Sequence, residues 1–242
     1  MTERNETHVQ VNRPLLDEFA GWLAAREWDV ALLQEAPPLW IRELGRRTRS
    51  NGIRVLSSRN LLPPLQRLGA NLNPDLIASW EGGSNQVLVR HPGRVLEHRR
   101  FVLARHPERR TMVWVRAELP GGVRVCFSNM HASAGLPAQA TREVVAAANA
   151  AVEWSGDDPL VLGGDLNLRP GHDPAAFIEL RERLGLGDPT GPNAIDHLLA
   201  RGLEVEERPR RLPAEERELI VEGGLRLRLS DHAPVVARYE VK

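Results

Sequence analysis

Two short stretches concentrate side chains able to do chemistry: Gly163-Gly164-Asp165-Leu166-Asn167 and Ser230-Asp231-His232-Ala233-Pro234. In the first, the i, i+2 spacing can aim the Asp165 carboxylate and the Asn167 amide to one side, where they can orient a water and a phosphate oxygen. The glycines permit close backbone approach. An Asx turn uses the same residues. In the second, an acid and an imidazole are adjacent, so one can bind a metal while the other addresses a nucleophilic water, and histidine is the usual general base near neutral pH. Asp196, closing Asn193-Ala194-Ile195, offers a carboxylate to hold His232 in the useful tautomer. His197 beside it reads as local packing.

Three further residues belong with these. Glu35 follows Leu32-Leu33-Gln34, so its carboxylate emerges from an apolar run, a costly place for an unpaired charge. A hard cation would offset that cost, and Mg²⁺ needs only one or two carboxylates beside water and substrate phosphate. A salt bridge to one of the many arginines is the alternative. His131, after Phe127-Ser128-Asn129-Met130, can donate a hydrogen bond or proton to a phosphate oxygen or leaving group, or can be a satisfied core histidine. Asn85 either hydrogen-bonds near His131, in contact with substrate, or serves a turn.

The elements that position these residues follow from periodicity. Leu15, Leu16, Phe19, Ala20, Leu23 and Ala24 recur on one side of a 3.6-residue repeat, giving a helix from Pro14 to Arg26. Asp29 to Glu35 is a nearly continuous apolar run and predicts a strand buried on both faces, with Glu35 at its end. Further helices are expected over Leu39–Arg49, Leu136–Trp154 and Pro174–Leu184. Strands are expected at 53–56, 111–119, 123–130, 159–162, 194–199, 203–208, 225–229 and 234–241. Pro120-Gly121-Gly122 joins one hairpin, and the His91-Pro92-Gly93 turn predicts another, between Asn85–Arg90 and Arg94–Leu103. Several candidate residues therefore fall where strands stop, the edge at which α/β proteins build sites.

Composition narrows the field without choosing a substrate. Of 242 residues, 32 are Lys or Arg and 32 are Asp or Glu, so no global field recruits a polyanion and any nucleic-acid contact needs a local patch. Lys242 is the only lysine; guanidinium forks suit phosphates, although genomic base composition explains the same bias. Cys126 is alone, which excludes an intramolecular disulfide and a cysteine-based zinc site, and its apolar neighbours predict a buried thiol. The polar stretch Met1–Thr7 and the lack of any long apolar run predict a cytoplasmic protein without a membrane span.

Leu33-Gln34-Glu35, Asn129-Met130-His131, Gly164-Asp165-Leu166-Asn167, Ile195-Asp196-His197 and Ser230-Asp231-His232-Ala233-Pro234 resemble, in order and approximate separation, the endonuclease/exonuclease/phosphatase superfamily. The resemblance runs from about Pro14 to the C-terminus. It implies an α/β fold, a four-layer α/β/β/α sandwich with two central mixed, largely antiparallel sheets, formed by residues 1–242 as one domain. It implies Mg²⁺- or Mn²⁺-dependent hydrolysis of phosphodiesters or phosphomonoesters, with Glu35 and Asp231 as metal ligands. Asp165 and Asn167 then orient the nucleophile and phosphate, His232 with Asp196 forms the base and its partner, and His131 is the electrophilic or acid residue. The family's opening strand normally ends in a Trp-Asn or similar dipeptide that is absent here; Gln10 or Asn12 is the expected counterpart, with Asn12 as a substrate contact. The expected activity is that of a monomeric phosphodiesterase acting on DNA or RNA. Phosphomonoester, inositol-phosphate or phospholipid hydrolysis, and a binding protein that kept the sandwich and lost catalysis, are the alternatives.

Overall fold

Alternating side chains along two sheets build the layers. The computed structural model describes residues 15–57, 83–106, 108–220 and 226–241. Within it, β1 (Val30–Ala36), β2 (Ser50–Leu56) and β3 (Ser84–Arg90) form an antiparallel sheet in the order β1-β3-β2. Along β1, Val30 and Leu32 face one cluster while Ala31 and Leu33 face another; along β3, Val87 and Val89 are separated from Leu88 in the same way. Apolar neighbours on both faces explain why these strands read as continuous hydrophobic runs. The outer face is covered by α1 (Leu16–Ala24) and α2 (Trp40–Thr48), through Ala20, Leu23, Leu44 and the flanking Phe19 and Trp40.

The second sheet runs in chain order: β4 (Arg94–Ala104), β5 (Arg110–Leu119), β6 (Val123–His131), β7 (Leu160–Asp165) and β8 (Asp196–Arg201). Its β6–β7 pair is parallel, so the chain must cross over, and α3 (Pro137–Ser155) does so. Val113, Val115, Val125, Phe127 and Val161 point to the first sheet. Met112, Trp114, Cys126, Met130, Leu160 and Leu162 point to α3 and α4 (Pro174–Leu184). Three apolar clusters thus separate four layers, the α/β/β/α arrangement expected. Cys126 is the buried thiol its neighbours predicted.

β9 (Glu204–Arg211) and β12 (Val235–Glu240) form an antiparallel ribbon that packs Tyr239 into the inter-sheet cluster and donates the Tyr239 hydroxyl to the Leu198 carbonyl. A smaller ribbon joins β10 (Glu218–Ile220) to β11 (Arg226–Arg228). No helix among the described residues is long and apolar enough to cross a membrane.

One expected hairpin is absent. β3 and β4 do follow each other across the His91-Pro92-Gly93 turn, but β3 already has β1 and β2 on its two edges, and β4 pairs with β5 in the other sheet. The Pro-Gly signal marked the turn correctly and could not say which edges were free.

Candidate active site

The strand ends meet at one edge of the sandwich. Because β7 runs parallel to β6 and antiparallel to β8, the register sets His131 beside Asp165 and Asp165 beside Asp196 in a single row across three strands. His131 and Asp165 are 7% and 6% exposed. The His131 Nε2 lies 3.5 Å from an Asp165 oxygen, and its Nδ1 lies 3.5 Å from Glu35 Oε1. The loop between β11 and β12 brings His232 over the row, its Nδ1 3.0 Å from both Asp196 carboxylate oxygens. Glu35, His131, Asp165, Asp196, Asp231 and His232 line one cavity of about 500 Å³.

Local backbone geometry at this edge is unusual in three places. Glu35 sits at a bulge in the β1–β3 ladder with φ +53°, which aims its side chain outward from a strand whose preceding residues are packed. Gly164 has φ +121°, and a Cβ there would overlap the Met130 carbonyl oxygen, so only glycine lets β7 approach β6 beside Asp165. Asn167 has φ +50° and donates its N–H to Asp165 Oδ1 at 2.9 Å. Its Nδ2 donates to the Ala132 carbonyl at 3.0 Å, so the Asx turn and the site are one structure.

Two residues anchor the site from behind without a signal that singled them out in the sequence. Asn129 is fully buried, and its Nδ2 donates to the carbonyls of Leu33 on β1 and Gln86 on β3, each at 2.8 Å. Its Oδ1 accepts from Gln34 Nε2 at 2.6 Å, so one amide ties the strand carrying His131 to the strand carrying Glu35. Glu143 on α3 is 4% exposed and accepts from the backbone N–H and hydroxyl of Ser133. Asn129 lay inside a motif that drew attention to His131. Glu143 lay in an Ala-rich helix where a charge normally marks a solvated face.

Asn85 does not reach the cavity. It is fully buried, and its Nδ2 donates to the Thr111 carbonyl at 2.7 Å, so it serves the join between the sheets. Asn12, with Gln10, lies outside the described residues. His197 packs as expected: Thr190 N–H donates to its Nδ1, which leaves Nε2–H to donate to the Leu168 and Ala194 carbonyls.

The electrostatics divide the site. Burial, with Asp196 nearby, pushes the Asp165 carboxyl up to about 6. Burial first, then the positive charges of Arg110 and His232, pushes His131 down to about 4, so its imidazole is neutral at pH 7. The hydrogen bond that the His232 Nδ1–H donates to Asp196 raises His232 to about 9, which favours the imidazolium at neutral pH. Ligand atoms of Asp165, Asp196 and His232 lie within 4.8 Å of one another, a spacing that can hold a cation. The exposed carboxylates of Glu35, beside His131, and of Asp231 line the same cavity. Asp165, Asp196, Glu35 and Asp231 around one cavity form an oxygen-rich donor set, and a hard divalent cation fits it.

The sequence matches the family model of the endonuclease/exonuclease/phosphatase family over residues 9–232. The chain belongs to this family. No curated protein sequence matches. Among solved structures, a conserved protein of unknown function from Enterococcus faecalis V583 is 15% identical, with 94% of this chain and 91% of that chain covered and a TM-score of 0.69. The Bacteroides thetaiotaomicron mannosyl-6-phosphatase Bt3783 is 14% identical over 93% and 90%, with a TM-score of 0.65. D. rerio TDP2, solved with a single-strand DNA product, is 14% identical over 93% and 91%, with a TM-score of 0.65. Proteins that share this fold thus differ in what they act on.

Proposed function

We propose that this family member is a divalent-metal-dependent phosphodiesterase, with nucleic acid as its first candidate substrate. The observation that carries the reading is the row His131, Asp165, Asp196, capped by His232 and opening onto Glu35 and Asp231. Glu35 and Asp231 would hold Mg²⁺ or Mn²⁺, which when bound supplies charge neutralisation at the phosphate oxygens. Asp165, with Asn167 fixing its carboxylate, orients the attacking water and accepts its proton; deprotonation above about pH 6 suits it to that task. In this reading the base is Asp165 rather than His232, whose pairing with Asp196 favours the protonated ring in the metal-free protein. His232 instead presents its Nε2–H to a phosphate oxygen, and neutral His131 donates a hydrogen bond from the other side.

One feature favours a polyanionic substrate. Arg211 and Arg210 pair in the ladder with Val235 and Val236, three and four residues beyond His232, and neither has an ion-pair partner among the described residues. Arg46 and Arg47, by contrast, are engaged by Glu43 and Asp17, and Arg99 by Glu97. A phosphomonoesterase of the same chemistry is the second reading, favoured by the modest size of the cavity. Turnover of single- and double-stranded DNA, RNA, bis-p-nitrophenyl phosphate and sugar or inositol phosphates, with Mg²⁺, Mn²⁺ or EDTA, tests the proposal. Metal-dependent cleavage of a diester is expected; monoester turnover alone selects the second reading, and inertness on every substrate rejects both.

A further inference from the structure

We infer that Glu143 is a positioning residue for the phosphoester site, latching the turn that follows His131 and through it fixing both His131 and Asn167. This rests on the function proposed above. The carboxylate stands in the second turn of α3, buried, with no ion-pair partner among the described residues, so neutral donors alone offset its desolvation. Its Oε2 accepts the Ser133 N–H at 2.7 Å, and its Oε1 accepts the Ser133 hydroxyl and Gln139 Nε2, each at 2.8 Å. A second bond, from Gln139 Nε2 to Ser133 Oγ at 3.1 Å, closes the group.

What these bonds hold is the segment directly after His131. Ala132 donates its N–H to the Asp165 carbonyl at 2.9 Å and receives Asn167 Nδ2 on its own carbonyl at 3.0 Å. Ala132 is thus clamped by the Asp165–Asn167 turn on one side and, through Ser133, by Glu143 on the other. With the second clamp removed, the ladder still forms, but the peptide that receives Asn167 is free to move. Asn167 and the His131 ring lose their fixed relation to Asp165. Catalytic geometry is far more sensitive to such displacement than stability is.

The test compares Glu143→Leu, which removes every acceptor, with Glu143→Gln, whose amide can still accept from the Ser133 N–H while Ser133 Oγ and a flipped Gln139 accept from its NH₂. Ser155→Ala, which breaks the distant Trp114–Ser155 bond, is the control for general destabilisation. Hydrogen exchange at the Ala132 and Ser133 amides is expected to accelerate on the order of tenfold or more in Glu143→Leu, with near-normal protection in Glu143→Gln. On bis-p-nitrophenyl phosphate, Glu143→Leu is expected to lose on the order of tenfold to a hundredfold in kcat with KM little changed, and Glu143→Gln to recover most of it. Unchanged exchange and kcat in folded Glu143→Leu overturns the inference, as does an equal kcat loss in Ser155→Ala at the same Tm. Should Glu143→Leu not fold, Ser133→Ala removes the hydroxyl arm, and unchanged Ala132 exchange there overturns it equally. The exchange measurement needs no turnover, so a wild-type protein inert on every phosphoester defeats the proposed function while the latch is still decided.

Discussion

His131 and Asp165 stand in a ladder row, buried and held by the backbone pairing of β6 and β7, with the Asp165 carboxylate also accepting the Asn167 N–H, whereas Glu35 and Asp231 lie at a bulge and in a loop, exposed. The five-stranded sheet thus presents a preorganised wall, whose geometry is fixed before anything binds. The opposite wall carries exposed carboxylates, whose positions a bound cation would set. Damage to the first wall should be severe and beyond rescue by metal, while damage to the second should yield to excess metal.

Gly164→Ala is expected to have the largest effect, because the added methyl meets the rigid Met130 carbonyl and the position is left-handed; stability should fall by well over ~1 kcal/mol, read by urea denaturation, with activity lost. Next, His232→Ala should reduce turnover by about 10²-fold or more, with a fall in Tm no larger than that of Asp196→Asn, which breaks the same pair. Glu35→Gln is expected to behave differently: a loss of roughly tenfold to a hundredfold at low Mn²⁺, largely recovered at saturating metal. A Glu35→Gln loss that no metal concentration repairs would erase the distinction between the walls. The smallest effect belongs to β9, where Arg210→Ala with Arg211→Ala should raise KM for DNA several-fold and flatten its salt dependence, without changing kcat on bis-p-nitrophenyl phosphate.

The His232–Asp196 pair joins the two walls and can be read by pH. In metal-free protein the His232 ring should titrate near 9, and Asp196→Asn should return it toward about 6.5. The folded value lies above the unfolded one, so the pair's stabilisation is complete below about 6.5 and is lost as pH rises through 9. Proton NMR of the ring in EDTA reads both values. A wild-type midpoint near 6.5 would show that the pairing does not persist in solution.

Much of this was legible in the sequence because the site's polar residues interrupt strong hydrophobic periodicities. α4 spans Pro174–Leu184 as the pattern predicted, and Glu35, His131, Asp165 and Asp196 all lie at strand ends. What was hidden depends on pairing between distant segments. Free edges of β3 cannot be read from β3 itself, which is why the expected hairpin with β4 was wrong. Asn85 and Asn129 are both polar residues within β-rich runs, and only the packing of one sheet on the other assigns Asn85 to the join and Asn129 to the support of Glu35. Likewise, the upward shift of the His232 pKa follows from its geometry with Asp196, which adjacency to Asp231 could not supply.

The account stands most directly on Asp165. Turnover of bis-p-nitrophenyl phosphate should be measured across an Mn²⁺ titration for wild type and Asp165→Asn, with matched thermal melts. A folded variant whose kcat is reduced by about 10²-fold to 10⁴-fold at every metal concentration is the predicted result. A folded Asp165→Asn protein that recovers wild-type kcat at high Mn²⁺, or a wild type that turns over equally in EDTA, contradicts it.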